Sequence, residues 1–242
     1  DSALAVAIAV DALGKDRVRG IRMPSKYSSD GSLKDAEESG KLLNIKINTI
    51  NIEEINKSYL ADLAHEFPNY HIVPEGGANY YGMIGCQEIL KEIDLDFNAI
   101  LVAQGTTTTS CGLLLGLKEN QQLFVVPVLK GFNSISEMKS IFQYSGIEEE
   151  WLEEAFSRLN VLNDYHFGGY GKYDDELLNF IREFYSRYNL KLDPIYTGKA
   201  MYGLMKELEN EKWNGKSIVF VHTGGLQGVE SIEKKSSVRL FD

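Results

Sequence analysis

The run Ala99-Ile100-Leu101-Val102-Ala103-Gln104 passes straight into Gly105-Thr106-Thr107-Thr108-Thr109-Ser110-Cys111-Gly112 and then into Leu113-Leu114-Leu115-Gly116-Leu117. An apolar run of this length, bounded by turn chemistry, reads as a strand buried on both faces, and the leucine-rich segment after it reads as an apolar helix. The tight loop between them carries glycine and consecutive hydroxyls. It points backbone N–H groups and hydroxyls at one spot, and the positive end of the helix dipole adds its attraction for an anion such as a phosphate. A second reading stays open beside it: Thr106 or Thr107 caps the helix, and no ligand is needed.

The same alternation of strand and helix runs along almost the whole chain. A helix is expected over 2–13, ending at Gly14, then a strand over Val18–Met23 stopped by Pro24. Ser32 caps a helix over 33–43, and Ile45–Ile50 alternates as a half-buried strand does. Further helices fall at 55–66, 80–92, 135–157, 174–188 and 199–211, and further strands at Tyr70–Val73, Leu123–Val128, Val161–Leu162 and Ser217–His222. This is an α/β chain with parallel sheets and flanking helices, a class whose ligands sit at the carboxyl ends of the strands. Glycine-bearing loops at such ends form a set: Glu75-Gly76-Gly77-Ala78-Asn79, Gly105 to Ser110, Gly168 to Gly171, Tyr196-Thr197-Gly198 and His222-Thr223-Gly224-Gly225. Together they predict a cleft lined with N–H groups, hydroxyls and tyrosines, suited to a flat, phosphorylated cofactor.

Composition narrows the partners. The net charge of −10 comes with no basic run interleaved with aromatics, which argues against nucleic acid and anionic membrane. The chain lacks an apolar run long enough to cross a bilayer. Cys86 and Cys111 lack metal or redox spacing, so packed thiols in a reducing cytoplasmic setting are expected. His65, His71, His166 and His222 lack metal-ligand spacing, and His222, at a strand end, reads as a loop anchor. The opening helix at Asp1-Ser2-Ala3 has no strand before it, which leads us to expect a segment upstream.

From about Tyr59 onward the chain resembles the 1-aminocyclopropane-1-carboxylate deaminase and D-cysteine desulfhydrase family. The matching motifs are Ile72-Val73-Pro74-Glu75-Gly76-Gly77-Ala78-Asn79, Ala103-Gln104-Gly105-Thr106-Thr107-Thr108-Thr109, Leu192-Asp193-Pro194-Ile195-Tyr196-Thr197-Gly198-Lys199-Ala200 and His222-Thr223-Gly224-Gly225-Leu226. The resemblance implies the tryptophan synthase β-like fold and pyridoxal 5'-phosphate as cofactor. It implies that Gly105, Thr106, Thr107, Thr108 and Thr109 hold the cofactor phosphate, with Thr107 or Thr108 standing where glycine is common. By the same resemblance Tyr196 stacks on the pyridine ring and Thr197 faces the ring nitrogen. Thr223 and Gly224 line the cofactor, and Asn79 and Tyr170 bind the substrate. Tyr170 and Tyr196 are then the catalytic pair, and the substrate is a small amino acid. Threonine at 197 and 223, where deaminases carry glutamate and leucine, tilts the chemistry toward the desulfhydrase branch. The family's Schiff-base lysine sits in a Gly-Asn-Lys-x-x-Lys-like motif that these 242 residues do not contain. The resemblance therefore implies that the chain alone binds the cofactor non-covalently, or not at all, and is inactive or nearly so.

Residues 1 to about 50 resemble NAD synthetase instead, through Asp1-Ser2-Ala3-Leu4, Ala9-Val10-Asp11-Ala12-Leu13-Gly14, Met23-Pro24-Ser25, Tyr27-Ser28-Ser29 and Ser32-Leu33-Lys34-Asp35-Ala36-Glu37. This second resemblance implies a chimera joined between Asn51 and Tyr59. Residues 1–95 would then form a small Rossmann-like subdomain and residues 96–242 an incomplete large cofactor-binding subdomain. A non-catalytic chimeric α/β fold and a remnant of the ATP-dependent synthetase are the alternatives. An open sheet edge would favour a homo-oligomer.

Overall fold

The structure is a computed structural model that describes residues 2–22, 30–50, 65–66, 68, 73–147 and 149–241. Two compact units divide the chain, Asp1–Ile72 and Val73–Asp242. The boundary expected at residue 95 therefore falls inside the second unit. The helix expected over 55–66, the strand Tyr70–Val73 and the motif residues Met23 to Ser29 lie wholly or mostly outside the described residues.

In the first unit, α1 (Ser2–Leu13) ends where Gly14 takes φ 84°. Strand β1 (Arg19–Arg22) pairs in parallel with β2 (Lys46–Thr49), Arg19 opposite Lys46 and Arg22 opposite Thr49. Between them α2 (Asp30–Leu42) begins ahead of Ser32, so the cap expected there lies inside the helix. The Arg22 guanidinium joins all three elements. It donates to Thr49 Oγ1 at 3.1 and 2.9 Å and to the Leu33 carbonyl at 3.0 Å.

In the second unit, α3 (Tyr80–Gln87) is capped by Asn79, whose Oδ1 accepts from Gly82 N at 3.0 Å. The helix expected to reach residue 92 tightens into a 3₁₀ turn over Glu88–Glu92. Strand β3 (Ala99–Gln104) is buried at every position, as its unbroken apolar run requires. It leads to α4 (Thr108–Gly116), followed by β4 (Gln122–Pro127). The helical region expected over 135–157 is two helices, α5 (Ser134–Tyr144) and α6 (Glu149–Ser157). Gly146, at φ 70°, stops the first with a backbone that L-residues avoid. Next come β5 (Leu159–Val161), α7 (Asp175–Tyr188) and α8 (Thr197–Glu207). They are followed by β6 (Ile218–Val221) and α9 (Val229–Ser236), a helix the sequence reading did not anticipate.

The sheet runs β5-β4-β3-β6, all parallel, with Ala99 opposite both Gln122 and Ile218. Alternation along β3 sends Ala99, Leu101 and Ala103 into a core with Leu177, Ile181, Ala200, Met201 and Leu204, against α7 and α8. Ile100 and Val102 enter a second core with Met83, Leu113, Leu114, Met138 and Phe142, against α3, α4 and α5. Helices thus cover both faces, and the carboxyl ends of β3, β5 and β6 open into loops 105–107, 162–171 and 222–225. Among the described residues no helix is long and apolar enough to cross a membrane.

Candidate active site

The loop after β3 is built on Thr107. This residue is the N-cap of α4 at φ 63°, ψ −8°, in the left-handed region that a β-branched side chain disfavours. Its side chain makes no capping bond, so the self-capping reading fails at this position. Its hydroxyl is buried without a hydrogen-bond partner of ordinary geometry and turns toward the Cys111 thiol. Burial pushes that thiol up to about 12, and the Thr107 hydroxyl opposes the shift in part. The neighbouring hydroxyls are also committed to structure. Thr108 donates to the Gly76 carbonyl at 2.9 Å, and Ser110 donates to the Thr107 carbonyl at 2.8 Å while accepting from Gln104 Nε2 at 2.8 Å. Thr109 Oγ1 faces Cys86 Sγ at 3.8 Å. Thr106 alone in the run is exposed. The expectation that the hydroxyls converge on an anion is therefore corrected. What the loop offers is the first-turn amides of α4, which have no intrahelical acceptors and no side-chain cap.

A second loop is organised by Asp193, which is 1% exposed. Its carboxylate accepts from the amides of Ile195, Tyr196 and Thr197, each at 2.8 Å, and from Thr197 Oγ1 at 2.6 Å. Thr197 Oγ1 also accepts from Asp193 N at 2.8 Å. The fully buried Thr197 hydroxyl thus gives its one proton to Asp193 and has none to donate to a ring nitrogen, which corrects the role expected of it. This turn starts α8 at Thr197, two residues earlier than expected, and it follows α7 rather than a strand. It presents Tyr196 over the β3 loop. A Cβ on Gly105 would lie 3.3 Å from Tyr196 Cε1. Burial raises the Tyr196 phenol above its ordinary range, and the Tyr170 hydroxyl adds to the rise.

Three further loops close on these two. Tyr170, 58% exposed, meets Tyr196 edge to face with ring centroids 6.0 Å apart. Gly76 sits so close to Thr106 that a Cβ would fall 2.0 Å from its Oγ1. Gly225, at φ 94°, leaves room for Asp193, whose Cγ would lie 2.8 Å from an added Cβ. His222 holds its loop: Nδ1 accepts from Gly224 N at 3.2 Å, and Nε2 is 2.8 Å from the Lys191 carbonyl, the loop-anchor role expected of it. Thr223 and Gly224 are exposed beside it. Asn79 is intermediate in exposure, and the task its Oδ1 performs is capping α3.

The structure therefore joins the loops that the sequence singled out, and it adds two residues whose part was not foreseen. Asp193 and Lys199 both lay inside a quoted motif. Lys199 is fully buried and donates to the His166 and Gly169 carbonyls, each at 2.8 Å. Burial brings its ammonium down to about 8, while Asp193 and Asp174 pull the other way.

A parallel α/β sheet, an uncapped helix start under a glycine loop and a tyrosine above that glycine define a scaffold for a phosphorylated cofactor. A family model described as pyridoxal-phosphate dependent enzyme matches residues 2–224, and the chain belongs to that family. It is 32% identical over 229 residues to a Pyrococcus horikoshii protein provisionally named 1-aminocyclopropane-1-carboxylate deaminase, covering 89% of this chain and 65% of that protein. An Arabidopsis thaliana protein named bifunctional D-cysteine desulfhydrase/1-aminocyclopropane-1-carboxylate deaminase is 28% identical over 211 residues, 78% of this chain and 50% of its own length. The chain thus spans less than two thirds of these relatives. Among solved structures, one titled as an ACC deaminase homologue superposes with a TM-score of 0.61 at 25% identity, covering 94% of this chain and 80% of that one. An O-acetylserine sulfhydrylase of Entamoeba histolytica, at 13% identity and TM-score 0.61, shares the fold.

The family's cofactor fits the residues present. The first-turn amides of α4 suit a phosphate, and the absence of a side chain at Gly105 lets the Tyr196 ring border that anion site, where its free face can take a flat ring. The family names pyridoxal phosphate as the cofactor.

Proposed function

We propose that this chain is a pyridoxal-phosphate-dependent lyase or deaminase of small amino acids, of the D-cysteine desulfhydrase and 1-aminocyclopropane-1-carboxylate deaminase kind. The observation that carries the reading is Tyr196 standing over Gly105 at the uncapped start of α4. The bound cofactor would supply an electron-withdrawing ring that stabilises negative charge at the α-carbon of an attached amino acid. The chain's own residues do the rest. The amides of Thr107, Thr108 and Thr109 bind the phosphate, and Tyr196 stacks on the ring. Tyr170, exposed at the rim, holds a hydroxyl where a substrate arrives.

The choice between the two chemistries rests on less than the residue types suggest. Thr197 is spent on Asp193, so only Thr223 still leans toward the thiol amino acid. Elimination from D-cysteine would consume water and release hydrogen sulfide, ammonia and pyruvate. We also infer that the 242 residues by themselves hold the cofactor without a covalent bond and turn over slowly or not at all. No Gly-Asn-Lys-x-x-Lys motif occurs in them, and the Lys199 amine is engaged by two carbonyls. The likeness of residues 1–50 to NAD synthetase stays a likeness in sequence. One family match running over residues 2–224, on both sides of segment 51–59, argues for a single family chain over a chimera.

Thermal melts with pyridoxal phosphate and with ATP, added separately, test the reading. Pyridoxal phosphate should raise Tm in the wild type and not in Tyr196→Ala, and ATP should leave it unchanged. A shift with ATP alone would overturn the proposal. Pyruvate from D-cysteine, with an absorbance band lost on a lysine substitution, would overturn the non-covalent part.

A further inference from the structure

Lys199 has no assigned task in binding or chemistry, yet its surroundings are costly for a lysine. It lies in the first turn of α8 (Thr197–Glu207), where the helix dipole repels a cation, and it is fully buried. Its partners are neutral carbonyls, those of His166 and Gly169, rather than a carboxylate. Both carbonyls already have another donor. The His166 carbonyl accepts from Gly169 N at 3.0 Å, and the Gly169 carbonyl accepts from Lys172 N at 3.1 Å. The ammonium is therefore not needed to satisfy them. What it adds is a tie between α8 and the loop that carries Tyr170. Two other contacts hold the loop ahead of Tyr170: the Phe167 ring meets Tyr202 of α8 edge to face with centroids 5.0 Å apart, and a Cβ on Gly169 would lie 3.3 Å from Lys130 N. Phe167, Gly168, Gly169 and Gly171 all take positive φ. Tyr170 is mostly exposed, and its ring contact is Tyr196, which leads directly into the same helix.

We propose that Lys199 is a positioning residue that straps the 166–171 loop to α8 and so sets Tyr170 against Tyr196 on the cofactor side. The inference rests on the reading of Tyr170 and Tyr196 as the cofactor-facing pair. Two charge-assisted bonds from one buried nitrogen fix the backbone on either side of Gly168, so Tyr170 is carried with α8. A lysine that merely fills space would leave the loop's mobility unchanged when replaced by methionine, which has a similar length and shape.

The experiment compares the wild-type chain with Lys199→Met at pH 7, without cofactor, by hydrogen exchange of peptides covering 166–172 and by the 19F resonance of 3-fluorotyrosine placed at position 170. Lys199→Met should exchange at least tenfold faster across 168–171. Its fluorotyrosine line should change from one shifted resonance toward the free-residue position, with exchange in the rest of α8 unaltered and Tm no lower than that of the wild type. Unchanged exchange and an unchanged resonance would overturn the proposal. Faster exchange spread evenly over the whole second unit would also overturn it, since the lysine would then be a general stabiliser. A third measurement separates this inference from the function it rests on. Pyridoxal phosphate should slow exchange at 105–110 in the wild type. Failure there would remove the cofactor reading and leave the strap standing, whereas an immobile loop in Lys199→Met would remove the strap and leave the cofactor reading.

Discussion

Thr107 carries the clearest conflict between local preference and native backbone. A left-handed conformation costs an L-residue about 1–2 kcal/mol, and glycine escapes that cost while losing about 0.5–1 kcal/mol in chain entropy. Thr107→Gly should therefore unfold in urea within about 1 kcal/mol of the wild type, although it empties a buried position. A loss of several kcal/mol would mean that the side chain, not the backbone, holds the loop. Asp193 is the opposite case, a carboxylate accepting from four donors in one turn. Asp193→Asn turns an amide nitrogen toward those donors and should cost about 2–4 kcal/mol, read as a fall in Tm that pyridoxal phosphate does not restore. The Cys111 thiol, raised to about 12 by burial, should resist iodoacetamide at pH 8 in the native protein and react once urea unfolds it. Alkylation at equal rates in both states would show that Cys111 is open to solvent.

Among the elements, the pairing of α3 with α4 aims the cofactor loop. The two helices approach so closely that a Cβ on Gly112 would fall 2.3 Å from the Met83 carbonyl and 2.6 Å from Cys86 Cβ. Gly112→Ala should destabilise by about 1–3 kcal/mol and weaken binding of pyridoxal phosphate, because the helix can relieve the clash only by shifting its own amino-terminal turn. Gly85, on α3, is the control. A Cβ there meets nothing within 4 Å, so Gly85→Ala should gain up to about 1 kcal/mol from helix propensity alone. Equal effects in the two variants, measured by chemical denaturation, would remove the close-packing argument. The elements themselves were legible where periodicity is strong. The apolar runs of β3 and β4 and the amphipathic helix α7 emerged close to their expected bounds. The break between α5 and α6 was not legible: Gly146 is tolerated in a helix pattern, and only its φ of 70° makes it a stop. The turn into α8 was missed because it depends on a side chain four residues from the hydroxyl it binds.

For the molecule as a whole, Lys199 couples folding to pH. Its folded value, about 8, lies below the 10.5 of an unperturbed lysine. Below about pH 8 it is protonated in both states, and the native state bears the cost of burying the charge. As pH rises from about 8 toward 10.5, the native lysine releases its proton while the unfolded one keeps it, so the wild type gains stability over that window. The full gain is about 3 kcal/mol. Lys199→Met has no such term. The Tm of this variant minus that of the wild type should therefore decrease from pH 7 to pH 10, and a constant difference would contradict the shift. Cys111 acts in the reverse sense. Raised to about 12, it withdraws stability as pH climbs from about 9, equally in both proteins, and so cancels in the difference.

At this scale the division between chain and fold is plain. The parallel α/β class, the buried strand β3 and the glycine-bearing loops are written in the chain, because apolar periodicity and turn residues act over a few neighbours. The chain also carries the motifs that mark the family. What the polar groups in those loops do depends on the folded arrangement. It turned the Thr107 and Thr108 hydroxyls inward, closed Thr197 on Asp193 and put the Lys199 ammonium under the Tyr170 loop, 33 residues before it in the chain at His166. Burial and hydrogen-bond competition assign such groups, and both depend on which distant segments the fold brings within 3 Å.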